Sequence, residues 1–179
     1  MTIDRRKVLI GLPAAAALAA GAAHAQPAPS KKDLLYIELK NGRVVVQLRP
    51  DLAPKHVAQI KTLAKRGFYD GIVFHRVIEG FMAQTGDPTG TGRGGSDLPN
   101  IPAEFTPTPF ERGTLGMARS DSPNSANSQF FICFKEADFL NNKYTVVGKV
   151  VSGMEFVDKI TRGEPPRTPD KMIKVTVSD

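Results

Sequence analysis

The chain has 179 residues, with 24 Lys or Arg, 18 Asp or Glu and a formal net charge of +6. Three of the basic residues lie together near the amino terminus, and no long basic run or aromatic-interleaved basic patch follows, so nucleic-acid binding is not expected. The single cysteine, Cys133, excludes an intramolecular disulfide. Three histidines are too few for a ligand set, so we expect no metal and no cofactor.

Residues 1–25 have the pattern of a cleavable signal peptide. A charged start precedes an apolar, Ala-rich run over residues 8–23, and residues 23–25 have the small-x-small form of a signal-peptidase site. The apolar run is too short for a comfortable transmembrane helix. The Arg5-Arg6 pair fits the twin-arginine route, whereas any positively charged start serves the general secretory route. We therefore expect a periplasmic or secreted protein with no membrane attachment after cleavage.

Residues 26–33 are rich in proline and in small or charged residues, which predicts a disordered lead-in. One domain is expected from residue 34 to residue 179. Apolar residues alternate over residues 35–39 and 44–48 on either side of Asn41-Gly42, a pattern that predicts a β-hairpin.

A helix is predicted from Pro54 towards Gly67, because the apolar residues between them recur with helical spacing. His56 lies off this apolar stripe, so we expect it to face solvent. The glycine-rich run of residues 86–95 lacks the Gly-Lys-Ser/Thr ending of a phosphate loop, and no amphipathic helix follows it. We interpret this run as a folded surface loop with left-handed turns.

The rest of the chain predicts a mainly β fold. Further strands are expected over residues 115–118, 128–134, 145–151 and 172–177, with a second helix around Val157 and Ile160. Many short strands accompanied by only two helices favour a closed antiparallel β-barrel.

The run of residues 74–84 places one charge among apolar groups. Phe74, Arg76 and Ile78 occupy alternate positions, so on a strand the guanidinium would share a face with two apolar side chains and be partly shielded from water. Phe81, Met82 and Gln84 follow a turn at Gly80. Mostly apolar surface with a few polar groups is typical of a binding pocket. The alternative is that Arg76 reaches solvent from an ordinary strand while the large apolar residues fill the core.

The run FHRVIEGFMAQ of residues 74–84, together with SQFFIC of residues 128–133, resembles the cyclophilins. The resemblance extends from about residue 34 to residue 177. It implies a closed eight-stranded barrel capped by helices at its open ends, and catalysis of cis-trans isomerisation at X-Pro peptide bonds. Rotation about such a bond faces a barrier of roughly 18–20 kcal/mol because amide resonance is lost. An always-charged guanidinium in a dry pocket is suited to stabilising the twisted amide.

By resemblance, Arg76 is the catalytic residue, while Gln84 and the backbone around Ala118 and Arg119 hold the substrate chain. An apolar slot receives the proline ring, because that ring carries no polar group. The residues that the resemblance places in or beside this slot are Phe81, Met82, Gln129, Phe131, Phe139, Leu140 and Tyr144. The implied partners are proline-containing segments of unfolded or folding proteins, bound by a monomer. Cys133 has apolar neighbours and no evident activating base, so we interpret it as an inert core thiol.

Five residues depart from the best-known cyclophilins, among them Ser120, which forms with Arg119 a larger pair than those members have, and Glu79, which stands where proline is common. Phe139 stands where many members have tryptophan, whose indole N–H bonds the drug cyclosporin, so weak cyclosporin inhibition is expected. Tyr144 stands where those members have histidine, and we expect this difference to alter the rate of isomerisation modestly. Arg119 lies at the edge of the slot, which leads to the hypothesis that it favours acidic residues near the proline of a client.

Two functional classes fit the sequence. The first is an exported peptidyl-prolyl isomerase that assists the folding of other exported proteins. The second is a module or holdase chaperone that binds proline segments, with incidental turnover. Arg76 favours the enzyme, since a protein that only binds has no need of the guanidinium.

Overall fold

The computed structural model describes residues 31–178, so the predicted signal peptide and most of the predicted lead-in lie outside the described residues. Within this part, Lys32 and Asp33 are already attached to the sheet. The Lys32 carbonyl accepts a hydrogen bond from Gln47 Nε2 at 2.9 Å, and the Asp33 carbonyl accepts one from the Leu48 N–H at 2.8 Å. No helix between residues 31 and 178 is long and apolar enough to cross a bilayer.

The described residues form eight strands, two α-helices and one 3-10 helix. In chain order these are β1 (Leu34–Leu39), β2 (Gly42–Leu48), α1 (Pro54–Lys65), β3 (Arg76–Ile78), β4 (Met82–Thr85), β5 (Thr114–Met117), β6 (Phe130–Cys133), the 3-10 helix (Asp138–Leu140), β7 (Val146–Ser152), α2 (Met154–Val157) and β8 (Lys174–Val177). The mainly β class and the predicted strands are confirmed, although some strand ends shift by a few residues.

The eight strands form one antiparallel sheet in the order β3-β4-β6-β5-β7-β2-β1-β8. The expected closed barrel is wrong, because the edge strands β3 and β8 share no ladder and the sheet remains an open half-barrel. Isolated bridges, Val77–Gly163 and Val73–Lys171, join the β3 side to the segment before β8. That segment contains prolines at positions 165, 166 and 169, which lack the N–H group that a continuous ladder requires.

The predicted hairpin is confirmed, with Leu39 opposite Gly42 at its tip. Gly42 has φ +146°, and a Cβ there would lie 2.5 Å from the Phe156 ring, so both the backbone and the space require glycine. The inward residues of β1 and β2, such as Ile37 and Val46, are buried in the larger of two hydrophobic clusters.

Helix α1 begins at Pro54, and its predicted apolar stripe packs in the larger hydrophobic cluster. The expectation that His56 faces solvent is wrong: its side chain is fully buried, and its Nδ1 lies 2.6 Å from Glu104 Oε2. Glu104 comes from the segment between β4 and β5, which covers this side of the helix. The same carboxylate accepts the backbone N–H groups of Lys55 and His56 at 3.2 and 3.1 Å. It therefore caps a helix whose own N-cap residue, Ala53, provides no side-chain bond.

A smaller hydrophobic cluster lies beside the first and is built on β4 and β6. Its buried members are Met82, Phe110, Phe131, Cys133, Ala137, Leu140 and Val146, and Phe81, Ala118 and Tyr144 are among those packed against it. This cluster contains six of the predicted site residues, so it fixes the position of the candidate site.

Candidate active site

Strands β3, β4 and β6 place three of the predicted residues in a row. Arg76 is directly opposite Gln84 in the β3–β4 pair, and Gln84 is directly opposite Phe131 in the β4–β6 pair. Residues opposite each other in antiparallel strands project from the same face, so these side chains are neighbours. The turn between β3 and β4 is made at Gly80, whose φ is +69°.

Arg76 is more accessible to water than the sequence pattern predicts, since 45% of its side chain is exposed. The dry pocket expected around it is therefore not observed. The physical reason is that β3 is an edge strand, whose outer side carries only an isolated bridge to Gly163. The guanidinium nevertheless has defined partners: Nε donates to Glu164 Oε1 at 2.7 Å, and Nη1 donates to Gln84 Oε1 at 3.5 Å.

A chain of side-chain amides leads from Arg76 to the glycine-rich loop. Gln84 Nε2 donates to Gln129 Oε1 at 2.9 Å, and Gln129 Nε2 donates to the carbonyls of Gly92 and Gly94 at 3.0 and 2.8 Å. Each amide has a partner on both of its ends, which fixes its orientation. The two glutamines predicted from the sequence therefore orient each other.

The glycine-rich loop is folded around the buried carboxylate of Asp87. Its Oδ1 accepts the N–H and the hydroxyl of Thr89 at 2.7 and 2.8 Å, and its Oδ2 accepts the N–H groups of Gly92 and Gly94 at 2.6 and 3.1 Å. Burial raises the pKa of Asp87, but these hydrogen bonds outweigh burial and lower the pKa to about 2. Gly90 and Gly92 have positive φ, which confirms the predicted left-handed turns.

The predicted proline slot has a buried apolar floor formed by Met82, Phe131 and Leu140. We use the name apolar floor for these three side chains. Phe131 stacks on Phe110 with ring centres 5.8 Å apart and meets the edge of Tyr144 at 6.0 Å. Phe110 was not predicted as a site residue, because it lies in the proline-rich segment that carries no strand pattern.

The rim of the apolar floor is formed by Phe81 and Phe139, whose ring centres are 5.2 Å apart. Phe139 projects from the 3-10 helix and is 61% exposed, whereas Phe81 is half-buried. An aromatic side chain this exposed is free to contact a bound molecule.

A cavity of about 600 Å³ adjoins Gln84 and Gln129 on the side of the glycine-rich loop. Arg119 lines it, as do Ala118 and Arg93. The Ala118 N–H already donates to the Gln129 carbonyl at 3.0 Å.

Contacts link all eleven predicted site residues into one group, partly buried and partly exposed, while their roles remain predictions. Two polar residues next to this group, Glu164 and Asp87, were not predicted. Asp87 had a local signal, since an aspartate two residues before threonine is typical of a turn closed by the side chain. Glu164 had none. No group of three or more potential metal ligands occurs among residues 31–178.

Cys133 is directly opposite Met82 of the apolar floor in the β4–β6 pair and is fully buried. Burial raises the pKa of its thiol to about 12, so the thiolate is not formed at neutral pH.

Comparisons with known proteins relate the chain to one family. The sequence model of the cyclophilin type peptidyl-prolyl cis-trans isomerases matches residues 34–177. A probable peptidyl-prolyl cis-trans isomerase of Brucella suis biovar 1 (strain 1330) is 54% identical over 177 residues, which covers 90% of each chain. A cyclophilin structure from Hirschia baltica has a TM-score of 0.76 at 30% identity and covers 83% of this chain and 74% of its own. A Cryptosporidium parvum cyclophilin type peptidyl-prolyl cis-trans isomerase, crystallised in the presence of the dipeptide Ala-Pro, has a TM-score of 0.76 at 28% identity, with 82% and 99% covered.

Proposed function

Because this chain belongs to the cyclophilin-type peptidyl-prolyl cis-trans isomerases, we propose that it accelerates X-Pro isomerisation in exported proteins with Arg76 as its catalytic group. The observation that carries the proposal is the position of this guanidinium. It projects from an edge strand directly opposite Gln84, which is in turn directly opposite Phe131 of the apolar floor.

The reaction needs a hydrogen-bond donor and no bond cleavage. Twisting the amide removes its resonance, and the nitrogen becomes pyramidal and acquires a lone pair. A guanidinium N–H directed at that lone pair stabilises the twisted state more than either planar state, which is the condition for lowering a barrier. An acceleration of about 10⁵ requires about 7 kcal/mol of such differential stabilisation.

The apolar floor is suited to receive the proline ring, which has neither a charge nor an N–H group. Burial of the ring next to Arg76 would bring the prolyl nitrogen towards the guanidinium. Gln84 and the backbone around Ala118 and Arg119 are the groups we assign to the substrate chain. The Cryptosporidium parvum relative was crystallised in the presence of Ala-Pro, which supports a proline-containing peptide as ligand.

We assign the protein to the periplasm or the exterior, as a monomer with no membrane attachment after cleavage. The location is supported by the sequence pattern of residues 1–25, while the monomeric state remains an expectation from the family resemblance. Uncatalysed X-Pro exchange takes tens of seconds, so folding of exported proteins is a step that an isomerase would accelerate. Fractionation of cells that produce the full chain tests the location, and retention in the cytoplasm would contradict it. A chain that lacks residues 1–25 is the control.

The second class, a proline-segment binding module or holdase chaperone, would use the same apolar floor. The two are separated by measuring cis-to-trans exchange of a short X-Pro peptide by NMR together with its binding. Acceleration at catalytic amounts of protein supports the isomerase. Binding without acceleration would leave only the binding module.

A further inference from the structure

The shortest hydrogen bond of the Arg76 guanidinium is made to a residue that no sequence motif identifies. Nε donates to Glu164 Oε1 at 2.7 Å, a distance typical of a charge-assisted bond. The Nη1 contact with Gln84 is 3.5 Å, at the outer limit for a hydrogen bond. Glu164, rather than Gln84, therefore determines the direction of this guanidinium.

The fold holds Glu164 in place through a backbone bridge. The Val77 N–H donates to the Gly163 carbonyl and the Gly163 N–H donates to the Val77 carbonyl, both at 2.8 Å. Gly163 has φ +145°, and a Cβ there would lie 2.5 Å from Pro166 Cα, so the corner requires glycine. Since Val77 follows Arg76 and Gly163 precedes Glu164, this bridge places the two charged side chains next to each other.

A second ion pair lies on the other side of the same bridge. Arg162 Nε donates to Glu79 Oε2 at 2.6 Å, and the Arg162 guanidinium also lies 4.3 Å from the centre of the Phe134 ring. The segment around Gly163 is thus attached to β3 independently of Glu164. The Glu79 pair therefore provides a matched control, because it joins the same two segments without contacting Arg76.

The Arg76–Glu164 pair contributes little to the stability of the fold. The two side chains are 45% and 52% exposed, and exposed ion pairs stabilise proteins weakly because water and salt screen them. The effect of the pair is instead local. A long arginine side chain has many rotamers, and a carboxylate bound at Nε removes much of this freedom before a substrate arrives.

We propose that Glu164 is a positioning residue for the isomerase reaction, which holds the Arg76 guanidinium so that its outer amino groups are directed at the prolyl nitrogen. The inference rests on the catalytic role proposed for Arg76. Bonding at Nε leaves Nη2 and the second hydrogen of Nη1 for the substrate. Glu164 itself does not touch the reacting amide.

The test compares Glu164→Ala and Glu164→Gln with Glu79→Ala and Glu79→Gln in an X-Pro exchange assay that yields kcat and KM separately. We expect Glu164→Ala to lower kcat about five- to tenfold with little change in KM, because the guanidinium must be ordered in each turnover. Glu164→Gln should retain kcat within about twofold, since its amide oxygen still accepts the Nε–H. Both Glu79 variants should stay within about twofold of the unmodified protein.

The Arg76 Nε–H signal in NMR spectra provides a readout that a purely structural role would not change. It should be slow to exchange with water in the unmodified protein and in Glu164→Gln, and fast in Glu164→Ala. Unchanged kcat in Glu164→Ala, a rise in kcat in Glu164→Gln, or an equal loss in the Glu79 variants would overturn the proposal. If Arg76→Ala retains activity, the proposed catalytic role fails. If Arg76→Ala is inactive while Glu164→Ala is fully active, only the positioning role fails.

Discussion

The guanidinium carbon of Arg119 lies 4.5 Å from the centre of the Tyr144 ring. The Arg119 nitrogens donate to the carbonyl oxygens of Ser120, Asp121 and Lys143 at 2.8 to 3.2 Å. Carbonyl groups carry no net charge, so these bonds fix the guanidinium without neutralising it. A positive charge is therefore held beside the edge of the apolar floor, where Tyr144 meets Phe131.

This charge should favour substrates with an acidic residue next to the proline. We expect kcat/KM for a peptide with glutamate flanking the proline to exceed that for the lysine peptide by about two- to fivefold at low salt. In Arg119→Ala, or at high salt, the ratio should fall towards one. Equal rates for the two peptides with the unmodified protein at low salt would contradict the hypothesis.

The exposed position of Phe139 leads to a prediction about cyclosporin. Phenylalanine has no N–H group to donate, so inhibition of the unmodified protein should be weak while its isomerase activity is intact. Phe139→Trp should bind cyclosporin about two- to tenfold more tightly, the effect of one added hydrogen bond of about 0.5–1.5 kcal/mol. Phe139→Leu, which adds no hydrogen-bond donor, is the control for a substitution at this position. Nanomolar inhibition of the unmodified protein would show that the missing donor is unimportant.

The Asp87 carboxylate should make the free energy of unfolding depend on pH in the acidic range. The pKa of Asp87 in the folded protein is about 2, which is below the ordinary value of an aspartate. The ionised carboxylate therefore contributes fully to the free energy of unfolding when the pH is above that ordinary value. This contribution is lost as the pH falls through the pKa of the folded protein. We expect the free energy of unfolding to decrease by roughly 2 kcal/mol between about pH 5 and pH 2 from this group. Denaturation of Asp87→Asn should show a correspondingly flatter pH profile. Asp97→Asn, which removes an exposed carboxylate, controls for net charge. Parallel profiles for Asp87→Asn and the unmodified protein would contradict this role.

The Cys133 thiol should be chemically inert in the folded protein. It is buried, and burial raises its pKa to about 12. A thiol reagent at neutral pH should modify it only after denaturant is added, and Cys133→Ala should retain kcat within about twofold, because the thiol takes no part in the reaction. Rapid labelling under native conditions, or an inactive Cys133→Ala variant that is still folded, would indicate a role in the reaction.

Local patterns predicted most of the helices and strands, because these elements depend on residues close in sequence. The hairpin at Asn41-Gly42, helix α1 and the row of Arg76 and Gln84 all follow from spacing or from a short motif. The sequence alone could not show which distant segments meet. Helical periodicity placed His56 outside the apolar stripe, but it carries no information about Glu104, which is 48 residues away and covers that side.

The dependence on contacts between distant segments also explains why barrel closure was wrongly predicted and why Glu164 was missed. The resemblance implied a closed barrel of eight strands, yet closure depends on whether β3 and β8 can share a ladder, and the proline-containing segment before β8 prevents it. Glu164 is 88 residues from Arg76 and belongs to no motif, so only the folded chain reveals the contact.

The most direct test of the account is the rate of cis-to-trans exchange of a short X-Pro peptide with the unmodified protein, Arg76→Ala and Arg76→Lys. Arg49→Ala, which removes an arginine from another exposed ion pair, is the matched control. We expect Arg76→Ala to lose at least about a hundredfold of the acceleration, since one donor to a developing charge contributes about 10²–10³. Arg76→Lys should recover little, because an ammonium lacks the planar fork. Circular dichroism and peptide binding should be unchanged in all variants. Full activity in a folded Arg76→Ala protein would contradict the central claim and place the catalysis on another group.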